Sequence, residues 1–331
     1  MSAVKLTGAH LKQIEKAAPW LSKTCEGLLR EPPNALDAYL TRVCSGTSVD
    51  GTHASAHCHI VALDGNGRPR VNALAKLLAT SIVQYCIPRS EIERAKQSLV
   101  ATNNPREMVA LEFKAKDLFT HLTTSGEGGE LLLYMLIETV LRLPQVLCKM
   151  PLKTSGHMHY HGVDGIHGAV DEKTGMLALY WGESKLQADV NNAIRTCFES
   201  IAPYLLESGS SSAAHERDLH LLRDNLDLNN PALEIAFQNY LDPDNSTYKQ
   251  LQFRAACLIG FDSEAYPALP NLKLEEAVHA EIEAGLHGLW QRVQNNVLKQ
   301  KLESFRLEVF CLPFPDVDAF RKAFQKELKI D

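Results

Sequence analysis

The sequence predicts an α/β fold for the central part of the chain, and three patterns of apolar residues predict it. A nearly all-apolar helix is expected over 130–143. Two apolar strands, 165–170 and 176–184, are joined by a short turn and form a hairpin. A helix with an apolar stripe follows at 188–206, and a further strand follows at 253–261. The order is therefore helix, strands, helix, strand.

On either side of this central part the sequence predicts mainly helices. Helical periodicity extends over 8–43, where Pro32 and Pro33 interrupt it, and Ser90 is expected to cap a short helix that begins at Glu91. The other predicted elements are a polar loop at 45–55, a strand at 57–63, a helix or a helix and a strand at 71–85, a long charged helix or a pair of helices at 273–302, a strand at 306–312 and a helix at 317–328.

Composition places the chain among globular proteins rather than among strongly basic nucleic-acid binders. The chain has 331 residues, 45% hydrophobic residues and a formal net charge of -6. One segment departs from this balance, because Arg142, Lys149 and Lys153 occur without an intervening acid. Such a local basic strip could contact phosphates on an otherwise acidic protein. Ordinary solvated lysines are the alternative.

The sequence predicts a cytoplasmic protein that does not enter a membrane. No window approaches about 18 uninterrupted apolar residues, and the first residues lack an apolar signal core. The eight cysteines are scattered without a C-x-x-C pair, which favours buried, reduced thiols.

The strongest chemical signal is an acid followed by a Glu-x-Lys element. Asp164 precedes the hairpin, and Glu183 and Lys185 stand at its end. Because side chains alternate along a strand, Glu183 and Lys185 share one face while Ser184 points to the other. Two carboxylates, with the backbone carbonyl of Ser184, could hold a divalent metal, and Lys185 could orient water or hold a phosphate. The alternative is a strand that simply ends in solvent.

A cluster of histidines offers a rival chemistry. His157, His159 and His161 alternate, so on a strand they would share a face and could bind zinc or iron, as in a His-metal hydrolase. Contact with phosphate or water, or simple packing, explains them equally well. His161, with Lys149 and Lys153, is therefore also a candidate for contact with DNA phosphates, and His161 and His167 are candidate supporting groups.

Taken together, several short motifs resemble the HamA family of Hachiman anti-phage defence. The resemblance is strongest over about residues 80–210. It implies a fold of the PD-(D/E)XK nuclease type, whose core is helix, three strands, helix, strand, with helical additions at both ends. The motifs are GEGGE at 126–130, PQ at 144–145, KM at 149–150, LKT at 152–154, HGVDGIH at 161–167 and GESKL at 182–186.

The resemblance implies a role for each matching residue. Asp164 matches the metal-binding acid, Glu183 the acid of the Glu-x-Lys element and Lys185 its catalytic lysine. A glutamate of the first core helix often tunes the metal, and Glu130 is the first candidate and Glu138 the second. Either could instead cap the helix or face solvent. The implied cofactor is Mg²⁺ or Mn²⁺.

The resemblance also implies partners, namely DNA and a HamB-like helicase subunit. The sequence contains no Gly-x-x-x-x-Gly-Lys-Ser/Thr loop, so an ATP-driven step would require another chain. We expect a mainly helical region at 1–104 that is a candidate docking region, a nuclease core at 105–265 and a helix-strand-helix region at 266–331. A catalytically silent subunit that binds DNA or regulates a partner is the alternative to a DNA nuclease.

Overall fold

A mixed β-sheet forms the centre of the molecule in the computed structural model. The structure describes residues 8–119, 126–153, 163–206, 214–268 and 271–328. These residues form seven strands: β1 (Leu40–Ser48), β2 (Ala54–Val61), β3 (Gln145–Leu147), β4 (Gly165–Val170), β5 (Leu177–Leu186), β6 (Leu251–Asp262) and β7 (Leu307–Phe314).

The strands lie in the order β1-β2-β7-β6-β5-β4-β3. The four middle strands, from β2 to β5, are parallel to one another. The outer strands are antiparallel to their inner neighbours: β1 pairs with β2, β4 pairs with β5, and β3 pairs with β4. Parallel strands require covered faces, and helices supply that cover here.

The helices pack on both faces of the sheet. Along β5, Leu179 and Trp181 face one apolar core, and Ala178 and Tyr180 face the other, as strand alternation requires. The helices are α1 (Gly8–Glu26), α2 (Val71–Thr80), α3 (Ile82–Cys86), α4 (Arg89–Thr102), α5 (Arg106–Asp117), α6 (Glu127–Leu136), α7 (Met150–Lys153), α8 (Val190–Leu206), α9 (Ala214–Asp224), α10 (Pro231–Leu241), α11 (Glu275–Lys299) and α12 (Val317–Leu328).

The two cores divide these helices between the faces. Side chains from α8, α9 and α10 enter the core that contains Trp181, whereas side chains from α2, α6 and α12 enter the core that contains Tyr180. Helix α6 continues into a π-helical turn, Ile137–Leu141, before the chain enters β3. The α/β class is therefore confirmed. Along the chain, α6, β3, β4, β5, α8 and β6 occur in this order, with α7 between β3 and β4 and with α9 and α10 between α8 and β6.

Most predicted elements of the central part are confirmed, but one at the start of the chain is wrong. The hairpin of β4 and β5 is found, as are α8, β6, β7 and α12. The helix expected up to residue 43 is replaced by β1, in which Leu40 pairs with Val61 and Thr41 with Ile60. Pairing with a distant strand outweighs the local helical periodicity. Ser90 is not a cap, because α4 begins at Arg89 after the extended residue Pro88.

The sheet takes strands from each of the three segments expected from the sequence. Strands β1 and β2 come from the first segment and β7 comes from the last, and β7 lies between β2 and β6. Among the described residues, every helix is too short or too polar to cross a bilayer. The three-part division stays a prediction, but its parts share one sheet.

Candidate active site

The end of β5 extends beyond β4 and is uncovered on that edge, while β6 pairs with it on the other edge as far as Leu186. The first residue of β4, Gly165, lies opposite Gly182, so the next residues of β5 have no partner within β4. The Lys185 ammonium donates to the Glu183 carboxylate at this uncovered end. The two side chains differ in exposure, since Glu183 is 5% exposed and the Lys185 side chain is 29% exposed. A buried acid therefore lies beside a cation that reaches solvent.

Asp164 lies next to this uncovered end of β5 and is held by Ser184. The backbone N–H of Asp164 donates to the Gly182 carbonyl at 2.8 Å. In return, the backbone N–H and the hydroxyl of Ser184 both donate to Oδ2 of Asp164, each at 2.7 Å. The N–H and carbonyl of one strand residue point to the same side, so the Ser184 carbonyl also faces Asp164.

Glu130 approaches the same place from the first turn of α6. The hydroxyl of Tyr85, which is 2% exposed, lies 3.0 Å from Oε2 of Glu130 and 3.2 Å from the carbonyl oxygen of Asp164. Helix α6 comes close to β5 because residue 129 is glycine. A Cβ at Gly129 would lie 2.7 Å from Cδ1 of Leu186 and 3.2 Å from Oγ of Ser184.

Glu138, the second candidate for the helix acid, has a structural role. It is fully buried, and its Oε2 accepts the backbone N–H of Arg30 at 2.7 Å and that of Glu31 at 3.0 Å. Its Oε1 accepts the backbone N–H of Gln145 at 3.2 Å. Glu138 therefore ties β3 to the segment after α1, and the geometry favours Glu130 as the acid near Asp164 and Glu183.

The electrostatics of the cluster reflect its burial and its excess of acids. Burial raises the pKa of Glu183, and the negative charge of Glu130 raises it further, while Lys185 partly offsets both effects. Burial opposes the charge on Lys185, but Glu183 and Asp164 outweigh it and raise the pKa of the lysine. Three carboxyl groups thus accompany one ammonium group, an imbalance that a divalent cation would relieve.

The donor set fits a magnesium-type cation. Among the described residues, no three His, Cys, Asp or Glu side chains already converge on one metal position. Mg²⁺ does not need three such side chains, because it is commonly held by one or two carboxylates and keeps several waters. Asp164, Glu183 and the carbonyl of Ser184 are oxygen donors of the kind that it prefers. A metal at this position would take over part of the contact between Glu183 and Lys185.

Comparison with known protein families agrees with the motifs that meet in this cluster. The family model of HamA matches residues 37–328, which is nearly the whole chain and includes all four site residues. The chain belongs to the HamA family. This family is part of the Hachiman anti-phage defence system, which implies a partner protein. No curated protein matches the chain.

Not every residue proposed from the sequence joins the cluster. Lys149 is 2% exposed, donates to the Val163 carbonyl and forms an ion pair with Asp218 at 3.5 Å. This burial is contrary to the expectation that Lys149 contacts DNA phosphates, because the ammonium is occupied inside the protein. The Lys153 side chain and His157, His159 and His161 lie outside the described residues.

His167 is placed in the core and away from the acids. Burial lowers the pKa of His167 to about 3, so its ring is neutral at physiological pH. The ring is 1% exposed and packs against Tyr134, with 6.0 Å between the ring centroids. His167 therefore contributes to the packing of β4 against α6.

Two contributors to the cluster were missed by sequence reasoning. Tyr85 falls in a segment whose secondary structure was ambiguous, and no motif marks it. The hydroxyl of Ser184 was also overlooked, since only its backbone carbonyl was considered. Alternation along β5 does predict that Ser184 faces away from Glu183, toward α6, and this orientation gives it access to Asp164.

Proposed function

We propose that this chain is a Mg²⁺-dependent deoxyribonuclease and the effector of a two-protein defence complex. The observation that carries the proposal is the cluster at the uncovered end of β5. There, Glu183 and Lys185 are in contact, and Asp164 is held beside them by two hydrogen bonds from Ser184. Carboxylates that can bind a metal, beside a partly exposed lysine, are groups that metal-dependent phosphodiester hydrolysis uses.

The residues divide the chemistry among them. Asp164, Glu183 and the Ser184 carbonyl would hold the metal, and Mn²⁺ could replace Mg²⁺ there. The metal, when bound, supplies Lewis-acid stabilisation and lowers the pKa of water. The Lys185 ammonium, released from part of its contact with Glu183, orients the attacking water or contacts the phosphate oxygens. Glu130 adds negative charge, and Tyr85 fixes its position relative to Asp164.

The order of elements supports the same proposal. Apart from α7, α9 and α10, which are inserted between them, the chain passes through α6, β3, β4, β5, α8 and β6, and these strands are adjacent in the sheet. This is the order of helix, three strands, helix, strand that a PD-(D/E)XK-type core requires. The proposed metal ligands stand at the start of β4 and the end of β5, and the candidate helix acid stands at the start of α6.

The family membership supports a role with a partner rather than alone. A Hachiman component implies a second protein, and we propose that this partner is a helicase of the HamB type. The sequence offers no phosphate-binding loop for ATP, so the energy-consuming step would belong to the partner. DNA is the proposed substrate.

A second candidate function is a silent nuclease-fold subunit that only binds DNA or regulates its partner. The observation in its favour is that the acids already have protein partners, since Lys185 contacts Glu183 and Ser184 contacts Asp164. A nuclease would cleave DNA in the presence of the metal, whereas a silent subunit would not.

A His-metal hydrolase would instead contain stoichiometric zinc or iron, which elemental analysis of the purified chain measures.

The test is cleavage of duplex DNA by the full chain, with and without its helicase partner, in Mg²⁺ and in EDTA. We expect cleavage only with Mg²⁺, and we expect Glu183→Ala and Lys185→Ala to reduce the rate at least about a hundredfold. Glu199→Ala, which removes an exposed acid of α8, is the control. Equal cleavage by all variants would show that the assigned site is wrong.

A further inference from the structure

A small cavity opens beside the cluster, on the side of β5 that faces α6 and α12. Its volume is ≈ 260 Å³. Ser184 and Lys185 form one wall, so the cavity begins where the acid cluster ends. Its described lining consists of Gly126, Gly128, Gly129, Ser184, Lys185, Leu186, Gln187, Arg321, Phe324 and Gln325.

The lining is cationic and polar. Two of the described lining residues, Lys185 and Arg321, are cations, two are glutamines, and none is an acid. This contrasts with the acid cluster next to it and with the net charge of -6 on the whole chain. A pocket with two cations and two side-chain amides is suited to an anion with several oxygens.

Arg321 is fixed in a position that serves this purpose. Its guanidinium donates to the carbonyl of Leu186, at the end of β5. It also pairs with Asp318 at 2.5 Å, but the Asp318 side chain is 68% exposed, so this surface pair contributes little. A guanidinium has five N–H donors, and these two contacts leave other donors for a ligand.

We propose that this cavity holds one backbone phosphate of the DNA strand, adjacent to the phosphodiester at the acid cluster. The proposal rests on the proposed function, because it assumes a DNA substrate. Lys185 lines both places, so a strand that crosses the cluster continues naturally into the cavity. The volume of ≈ 260 Å³ is sufficient for a phosphate and its sugar. Arg321 is thereby a DNA-binding residue that no sequence motif marks.

The first test measures DNA binding without cleavage. The full chain is titrated into a fluorescent duplex of about 20 base pairs in EDTA, over a series of salt concentrations. We expect Arg321→Ala to weaken binding about tenfold and to reduce the slope of log affinity against log salt by about 1. Lys322→Ala removes the next cation of α12, which is exposed and does not line the cavity, and is the matched control.

A second pair of variants keeps the test valid if Arg321→Ala unfolds. Gly126 precedes α6 with φ -78°, has no side-chain cap, and a Cβ there meets nothing within 4 Å. Both Gly126→Asp and Gly126→Asn supply good capping side chains, so both should fold. They have the same shape and differ in charge. We expect Gly126→Asp to bind DNA several-fold more weakly than Gly126→Asn, with the difference shrinking at high salt.

The outcomes separate this proposal from the proposed function. Equal affinity and equal salt slopes for folded Arg321→Ala and the unaltered protein, with equal binding by the two Gly126 variants, would overturn the phosphate site. So would an absence of duplex binding by the unaltered protein. If the Arg321 effect is found but Mg²⁺ produces no cleavage, the phosphate site stands and the nuclease assignment fails.

Discussion

Tyr85 joins two acids that belong to different parts of the sequence. Its hydroxyl lies within hydrogen-bond distance of Glu130 and of the Asp164 carbonyl, and its ring is buried against Tyr134, with 5.4 Å between the centroids. Burial raises the pKa of Tyr85 well above its ordinary value, and Glu130 adds to the effect. The hydroxyl is therefore neutral and acts as a donor between the two chain segments.

Removal of this hydroxyl should reduce the activity of the site without creating a cavity in the core, because the aromatic ring is kept. We expect Tyr85→Phe to lower the rate of DNA cleavage about tenfold, because a hydrogen bond to a charged group is lost. The Mg²⁺ concentration for half-maximal rate should rise as well, since Tyr85 would no longer hold Glu130 and Asp164 in fixed positions relative to each other. Measuring the rate against Mg²⁺ concentration distinguishes this positioning role from a general loss of folded protein.

Tyr134→Phe is the matched control for that measurement. Tyr134 is also buried, and its hydroxyl has no hydrogen-bond partner among the described residues. Its removal should leave the rate and the Mg²⁺ dependence close to those of the unaltered protein. If the two variants behaved alike, Tyr85 would have no special role at the site.

At the residue scale, the sequence predicted the contacts between residues of one short motif and missed those that depend on residues distant in the sequence. Spacing placed Glu183 and Lys185 on one face of a strand, and the structure brings them into contact. The burial of Lys149 depends on Asp218 in α9, which no local pattern connects to it. The choice between Glu130 and Glu138 likewise required the backbone donors that surround Glu138.

At the element scale, the packing of the Leu186 and Phe314 side chains over β6 depends on one glycine. A Cβ at Gly260 would lie 2.8 Å from Cγ of Leu186 and 3.0 Å from Cε2 of Phe314. We expect Gly260→Ala to lower the free energy of unfolding by about 1–3 kcal/mol, because the added methyl overpacks this contact. Urea unfolding followed by circular dichroism measures the change.

Gly288→Ala provides the opposite expectation within the same protein. Gly288 lies inside α11, and a Cβ there meets nothing within 4 Å. Alanine should raise the free energy of unfolding by about 0.5–1 kcal/mol through its higher helix propensity. A Gly260→Ala protein as stable as the unaltered one would mean that β5 and β6 have room to shift at this point.

The elements that the sequence predicted well are those stabilised by their own periodicity. The hairpin of β4 and β5 combines apolar strands with a turn in which Asp171 accepts from the backbone of Thr174 at 2.7 Å. The first residues of β1, up to residue 43, were predicted as helix and residues 45–48 as part of a loop, because the stabilising partner β2 lies further along the chain and the pattern of β1 itself is weak. Strand pairing is the information that local periodicity lacks.

At the scale of the whole molecule, the ends of the chain are part of the structure that positions the site. Strand β7 lies between β2 and β6, so the first and last segments meet in the middle of the sheet. The first segment also supplies Tyr85, and the last supplies Arg321. Sequence reasoning treated both segments as helical additions without chemical motifs, since sheet order is not visible along the chain.

The central claim is that Asp164 and Glu183 hold a divalent metal at the end of β5. Binding of Mn²⁺ to the full chain, counted by electron paramagnetic resonance of the free ion, tests it most directly. We predict one bound ion per chain, with affinity at least about tenfold lower in Asp164→Asn and in Glu183→Gln and unchanged in Glu199→Gln. Equal Mn²⁺ binding by all four proteins, or no binding by the unaltered chain, would contradict it.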